Sequence, residues 1–294
     1  MTFNKHVLVV GNCQTQLFTE SLSLVGRNIK CIGHRYRRNA FEELVNTVRN
    51  NIDSGYLPLL SSSLRMDTKV IEFLTSDSGT PPIFFPSITF GAFHPDIQFA
   101  QCGGETVRNG LGGAWNSRLI LTSFLKGLSE HQTRELFCHR AFKAAGYFDR
   151  WVSDINSLSN TFEFCELDFP RWIRSVRRLG IFMHGVNHPV KGALQSLAHQ
   201  MAEKIALPHR STIDIARYSL DNLSTSVWPV YPEIAEHLGF NGSYVFQHQG
   251  RYAELEDFIS SCFKLWTAQN LSTELVQTIP RNGFSIDSVI ESIQ

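Results

Sequence analysis

Apolar and polar positions change their period along this chain. His6 to Val10 is a short apolar, β-branched run that ends at Gly11, the pattern of a buried parallel strand. The residues that follow place Leu17, Leu22, Leu24 and Val25 on or near one side of a helix that Gly26 stops. Ile29 to Gly33 predicts a second strand. Phe41 to Ile52 predicts an amphipathic helix, with Phe41, Leu44, Val45 and Val48 at spacings of three and four. No element is read between Ile52 and Met66. Met66 to Leu74 predicts a helix, and Pro82 to Ile88 a buried strand with a proline-limited end. Such alternation implies a small parallel sheet with helices on its faces.

Beyond residue 100 the pattern changes. Gly103, Gly104, Gly110, Gly112 and Gly113 form a glycine-rich connection, and helical periodicity then dominates. Helices are predicted over 115–128, 131–148, 151–167, 170–179, 190–207, 252–268 and 286–293. The clearest has Val190, Ala193, Leu194, Leu197, Ala198, Met201 and Ile205 on one stripe. The fold class is therefore α/β: a small parallel-sheet subdomain over residues 1–100, and a larger, mainly helical body over 101–294.

Composition narrows the function. With 43% hydrophobic and 18% charged residues, the 294-residue chain is globular rather than disordered. The 27 Lys and Arg residues balance 27 Asp and Glu, so no global field favours a polyanion and nucleic acid is not expected as a partner. The six cysteines are widely spaced with no C-x-x-C pair, which fits reduced thiols in a cytoplasmic protein. Neither a signal peptide nor a transmembrane stretch is read.

Three short motifs carry candidate chemistry. Gly11-Asn12-Cys13-Gln14 sits where a strand gives way to a helix, and glycine permits the sharp turn. Backbone N–H groups at a helix start would lower the Cys13 pKa and could hold an oxyanion or a phosphate. The plainer reading is a cysteine that packs, but Asn12 and Gln14 beside it suit a polar site. Phe93-His94-Pro95-Asp96 follows the strand predicted to end near Ile88, so His94 is a candidate base and Asp96 its partner or a ligand contact. Asn187-His188-Pro189 precedes the helix at Val190, placing Asn187 or His188 at its cap, with His188 a second candidate base. His184 lies four residues before His188, but no histidine pair shows that spacing on a helix with a partnering glutamate, and no metal is expected. Basic clusters at His34-Arg35-Tyr36-Arg37-Arg38 and at Arg171, Arg174, Arg177 and Arg178 are either phosphate clamps or solvated faces.

In order and separation, Gly11-Asn12-Cys13-Gln14, the stretch from Phe85-Pro86 to Phe93-His94-Pro95-Asp96, and Asn187-His188-Pro189 resemble the WcbI family of capsular polysaccharide biosynthesis proteins, acetyltransferases that bind coenzyme A. The resemblance implies a sheet subdomain set in a helical, cradle-like body. It also implies a pocket for acetyl-CoA and acetyl transfer to a carbohydrate hydroxyl. Cys13, His94 and His188 are then the catalytic candidates, and Gly11, Asn12, Gln14, Asp96, Asn187 and Arg35 the cofactor contacts. Cys13 either takes the acetyl group itself or lines the site while a histidine activates the acceptor, His94 being preferred because it follows a strand. The same pocket would serve a thioesterase or carbohydrate esterase with a Cys–His pair, or a non-catalytic CoA-binding subunit. Peripheral contact with a polysaccharide assembly complex stays open.

Overall fold

A computed structural model describes residues 5–37, 40–78, 82–211, 213, 217–272, 276–278 and 284–294. The first elements are β1 (Lys5–Gly11), α1 (Thr15–Val25), β2 (Ile29–Arg35), α2 (Phe41–Asp53), β3 (Tyr56–Ser61), α3 (Thr68–Ser78) and β4 (Ile83–Phe85). Next come β5 (Ile97–Cys102), β6 (Glu105–Thr106), β7 (Trp115–Ser117), α4 (Arg118–Leu125), α5 (Glu130–Glu135), α6 (His139–Ala144), α7 (Arg150–Phe164) and α8 (Phe169–Arg177). The remainder holds β8 (Met183–Gly185), β9 (His188–Pro189), α9 (Lys191–Lys204), β10 (Ser226–Val227), α10 (Pro232–Leu238), β11 (Phe246–His248), β12 (Arg251–Ala253), α11 (Leu255–Ala268), β13 (Val276–Thr278) and α12 (Ile286–Glu291). The chain is α/β, with a four-stranded, all-parallel sheet.

These elements gather into two compact units, and neither is continuous in sequence. The first is Met1–Thr89, Asn156–Phe182 and His188–Ser224; the second is Phe90–Ile155, Met183–Asn187 and Thr225–Gln294.

In the first unit the parallel sheet has the order β2-β1-β3-β4. After β1 the chain steps through α1 to β2, then α2 carries it back past β1 to β3. The connection thus reverses direction between β1 and β3, which is where open parallel sheets place their ligands, beyond the strand carboxyl ends. Period two explains why β1 is apolar throughout. Leu8 and Val10 join Leu44, Val48, Leu60, Leu64, Val70 and Leu74 in one buried cluster with α2 and α3. Val7 and Val9 are the alternate positions and are equally buried. Each such side chain contributes about 1.5–3 kcal/mol by leaving water. On the other side α1 packs along β2 and α9.

Two sequence expectations change here. β3 is a sheet strand in the segment where no element is read. The strand predicted over Pro82 to Ile88 is only Ile83–Phe85, so the chain leaves the sheet before Pro86 and Ser87.

The second unit is built on antiparallel pairs. β5 pairs with β6, β7 and β13, and β10, β11 and β12 form a separate ladder. The helix predicted over 131–148 is two short helices, because Cys138 is fully extended (φ −150°, ψ 162°) and breaks the repeat. Likewise 251–253 is a strand that precedes α11. Among the described residues no helix is long and apolar enough to cross a membrane.

Candidate active site

The turn after β1 is held by close packing. A Cβ added to Gly11 would stand 2.6 Å from Cβ of Ser61 and 2.9 Å from Oγ1 of Thr15, so only glycine lets β1 end this near β3. Asn12 then organises the helix start. Its Oδ1 accepts from the Gln14 N–H (3.0 Å), and its carbonyl accepts from the Thr15 N–H (3.1 Å). Its Nδ2 donates to Oγ of Ser87 (2.7 Å), just past β4. The amide hydrogens of Gln14 and Thr15, expected to stand ready for a ligand, are therefore engaged by Asn12.

Gln14 is itself buried. Its Nε2 donates to the Ile88 carbonyl (2.7 Å) and its Oε1 accepts from the Ile88 N–H (3.0 Å). Both ends of the amide serve the backbone, so Gln14 clamps the turn to the chain leaving β4.

Cys13 is half-buried between these two residues. Its pKa is raised, not depressed as expected. Burial outweighs the nearby Arg35 guanidinium and the thiol's own backbone N–H, both of which favour the thiolate. The helix start gives the thiol little counterweight, because α1 begins at Thr15 and Asn12 takes the Gln14 and Thr15 N–H groups.

Two adjoining clefts open at this end of the sheet. The larger, about 480 Å³, is lined by Gly11 and Asn12, by Tyr36 beyond β2, and beyond β3 by Ser63, Leu64 and Met66 to Lys69. Tyr36 is fixed there twice: its N–H donates to the Gly11 carbonyl (2.8 Å) and its hydroxyl to Oδ2 of Asp67 (3.1 Å). Oδ1 of Asp67 in turn accepts from the Val70 N–H (3.3 Å), at the start of α3. The smaller cleft, about 240 Å³, shares Ser63 and Met66 with the larger and extends to Ser87, Thr89 and one side of α7. Ser61 and Ser63 hydroxyls lie 2.9 Å apart, and Oγ of Ser62 accepts from the Ser87 N–H (2.8 Å). Arg35, exposed at the end of β2, is the register partner of Gly11. Arg38 lies outside the described residues.

The remaining candidates fall elsewhere. His94 belongs to the second unit and precedes β5, rather than following a sheet strand directly. It is 2% exposed, with Nδ1 and Nε2 each 3.3 Å from a carbonyl, of Pro229 and Met183 respectively. Burial holds its pKa down to about 4, against these two hydrogen bonds, which favour the charged form. Asp96 is wholly buried: Oδ1 accepts from the Tyr147 hydroxyl (2.6 Å) and the Leu119 N–H (2.9 Å), and Oδ2 from the Tyr231 hydroxyl (2.8 Å). The Asp96 side chain is thus a structural node that ties Tyr147, Leu119 and Tyr231 together.

Asn187 is half-buried in the second unit, whereas His188 is half-buried in the first. Neither caps the helix that follows. His188 and Pro189 are extended, the cap is Val190, and the Lys191 N–H donates to Oδ2 of Asp221 (3.0 Å). The four arginines of α8 and its end are exposed, and Arg171 forms a two-point pair with Glu203 (2.5 and 2.7 Å). That cluster is a solvated face.

Gly11, Asn12, Cys13 and Arg35 thus meet at the sheet end, together with Tyr36, Ser63, Asp67 and Ser87, which sequence reasoning missed. The run Ser61-Ser62-Ser63 after an apolar stretch is the signal that would have found part of this set. A larger hollow in the second unit, about 660 Å³ between α5, α6 and α12, holds none of the sequence candidates.

A family model described as polysaccharide biosynthesis enzyme WcbI matches residues 6–210. The comparisons with curated proteins and with solved structures give no match.

Proposed function

Because the chain belongs to the WcbI family of polysaccharide biosynthesis enzymes, we propose that it transfers an acetyl group from acetyl-CoA to a carbohydrate hydroxyl at the carboxyl end of its parallel sheet. The observation that carries this reading is the turn Gly11-Asn12-Cys13, packed against β3 and opening into a cleft at the point where the sheet reverses. The acceptor oxygen attacks the thioester carbonyl, the carbon–sulfur bond breaks, and CoA leaves with the electron pair. The hydroxyl proton passes to a base.

Lys69 lines the larger cleft and Arg35 lies close enough to act on Cys13, so these two cations suit the CoA phosphates in a chain with no net charge. A raised thiol pKa favours direct transfer, with Cys13 lining the reaction centre, over an acetyl-cysteine relay that needs thiolate. His188 takes the role of base in this reading. It is half-buried in the unit that holds Cys13, whereas His94 is sealed against two carbonyls.

A thermal-shift series with CoA, acetyl-CoA and nucleotides tests the reading. A ligand at about a hundredfold its Kd adds roughly 2.7 kcal/mol of stability, and no shift with any CoA species would overturn it. Intact-mass measurement after acetyl-CoA alone should find no acetylated enzyme. Free acetate released without a sugar would assign hydrolysis instead.

A further inference from the structure

The smaller cleft differs in chemistry from the larger one. It is lined by six hydroxyls, those of Ser62, Ser63, Ser87, Thr89, Ser157 and Thr161, by the Arg65 guanidinium, a donor only, and by Met66 and Leu158, which supply apolar surface. The hydrogen bonds already present set the polarity of this wall. Oγ of Ser62 and Oγ of Ser87 both act as acceptors toward the protein, from the Ser87 N–H and from Asn12 Nδ2. Each therefore keeps its own hydrogen to offer a ligand oxygen. Across the cleft, Oγ1 of Thr161 donates to the Ser157 carbonyl (2.9 Å) and keeps lone pairs to accept. Met66 is 83% exposed and lines both clefts.

We propose that this cleft seats one sugar ring of the acceptor. The inference rests on the transfer reading above and deepens it. At about 240 Å³ the cleft is below the roughly 300 Å³ at which pockets for drug-sized ligands begin, so it suits a single ring and not a nucleotide cofactor. A pyranose presents hydroxyls that both donate and accept around its edge and C–H groups on its face. Donors at Ser62 and Ser87, an acceptor at Thr161, and the apolar surface of Met66 and Leu158 match that pattern. The position fits as well: Ser63 and Met66 line both clefts, and the Asn12–Ser87 hydrogen bond joins the two walls. A ring hydroxyl beside Ser63 faces the thioester cleft.

The test fills the cleft from its exposed side. Ser157→Trp, on the solvent-accessible part of α7, should leave stabilisation by CoA unchanged and lower kcat/KM for acetyl transfer to methyl glucoside, galactoside or mannoside by about tenfold or more. Thr161→Val, which adds no bulk, should raise the acceptor KM and leave kcat unchanged. Saturation-transfer NMR with the same glycosides, without CoA, should give a signal with the wild-type protein that Ser157→Trp abolishes. Full transfer activity in both variants, or no saturation transfer to the wild-type protein from any glycoside, overturns the proposal. So does equal loss of CoA stabilisation and of transfer, since the cleft would then serve the cofactor. If no CoA species stabilises the protein, the transfer reading fails and the NMR result decides the sugar subsite by itself.

Discussion

Gln14 and Ile88 face each other through two hydrogen bonds, side-chain amide to backbone, and so fasten the first turn of α1 to the chain leaving β4. The pairing imitates one rung of a sheet where no strand is present. Gln14→Leu keeps the volume and strands a buried N–H and a buried carbonyl on Ile88. Each costs about 1–3 kcal/mol, so urea unfolding should show a loss of roughly 2–6 kcal/mol. An unchanged midpoint combined with weaker CoA binding would return Gln14 to the role of cofactor ligand.

Stability should fall in acid through His94. Its pKa is held near 4 in the fold, against about 6.5 in an unfolded chain, so between these values the unfolded state binds the extra proton. The stabilising effect of the neutral buried ring is complete above about pH 6.5 and lost as the pH drops through 4, on the order of 3 kcal/mol. Denaturant midpoints of the wild-type protein and His94→Gln, compared from pH 7 to 4, should converge as the pH falls. A constant difference would show that His94 does not titrate in this window.

Gly11→Ala places a methyl group against Cβ of Ser61, an atom fixed to the backbone of β3 that cannot swing aside. Overpacking of this kind costs about 1–3 kcal/mol, and it displaces Asn12 from Ser87. Loss of stability and of transfer should therefore appear together. Normal turnover in a destabilised variant would separate the turn from the chemistry.

The Cys13 thiol should alkylate slowly. Its iodoacetamide reactivity should rise with pH along a curve displaced above the ordinary thiol range, because burial raises its pKa. Arg35 acts in the opposite sense, so Arg35→Ala should shift the curve higher still. A curve that moves down, or rapid labelling at neutral pH, would restore the thiolate nucleophile.

How far the site can be read from sequence depends on the range of the signal. β1 and its turn are legible because an apolar run, then Gly11, then a helical repeat are neighbours in the chain. β3 is not, because Pro58 reads as a strand breaker. In the fold Pro58 is the register partner of Leu8, and β4 joins β3 only from Leu59 onward, so the stretch holding Pro58 has a ladder on one side alone. With β3 unread, Ser63, Asp67 and Ser87 could not be placed beside Asn12. His94 shows the converse limit. An imidazole after a strand signal suggests a base, but what silences it are the carbonyls of Met183 and Pro229, far along the chain. The spacing before α9 misleads for a related reason: the Lys191 N–H at the helix start is met by Asp221, thirty residues away.

The alternation of the chain between two units bears on how it is made. Leu17, Phe18, Leu22 and Val25 of α1 are buried, and α1 packs along α9. A ribosome releases the strands of the sheet early but must continue to Lys204 before that helix is covered. Until then the nascent chain displays an apolar face, a standing demand on chaperones. Premature stops anywhere before α9 should yield insoluble products rather than a small working domain.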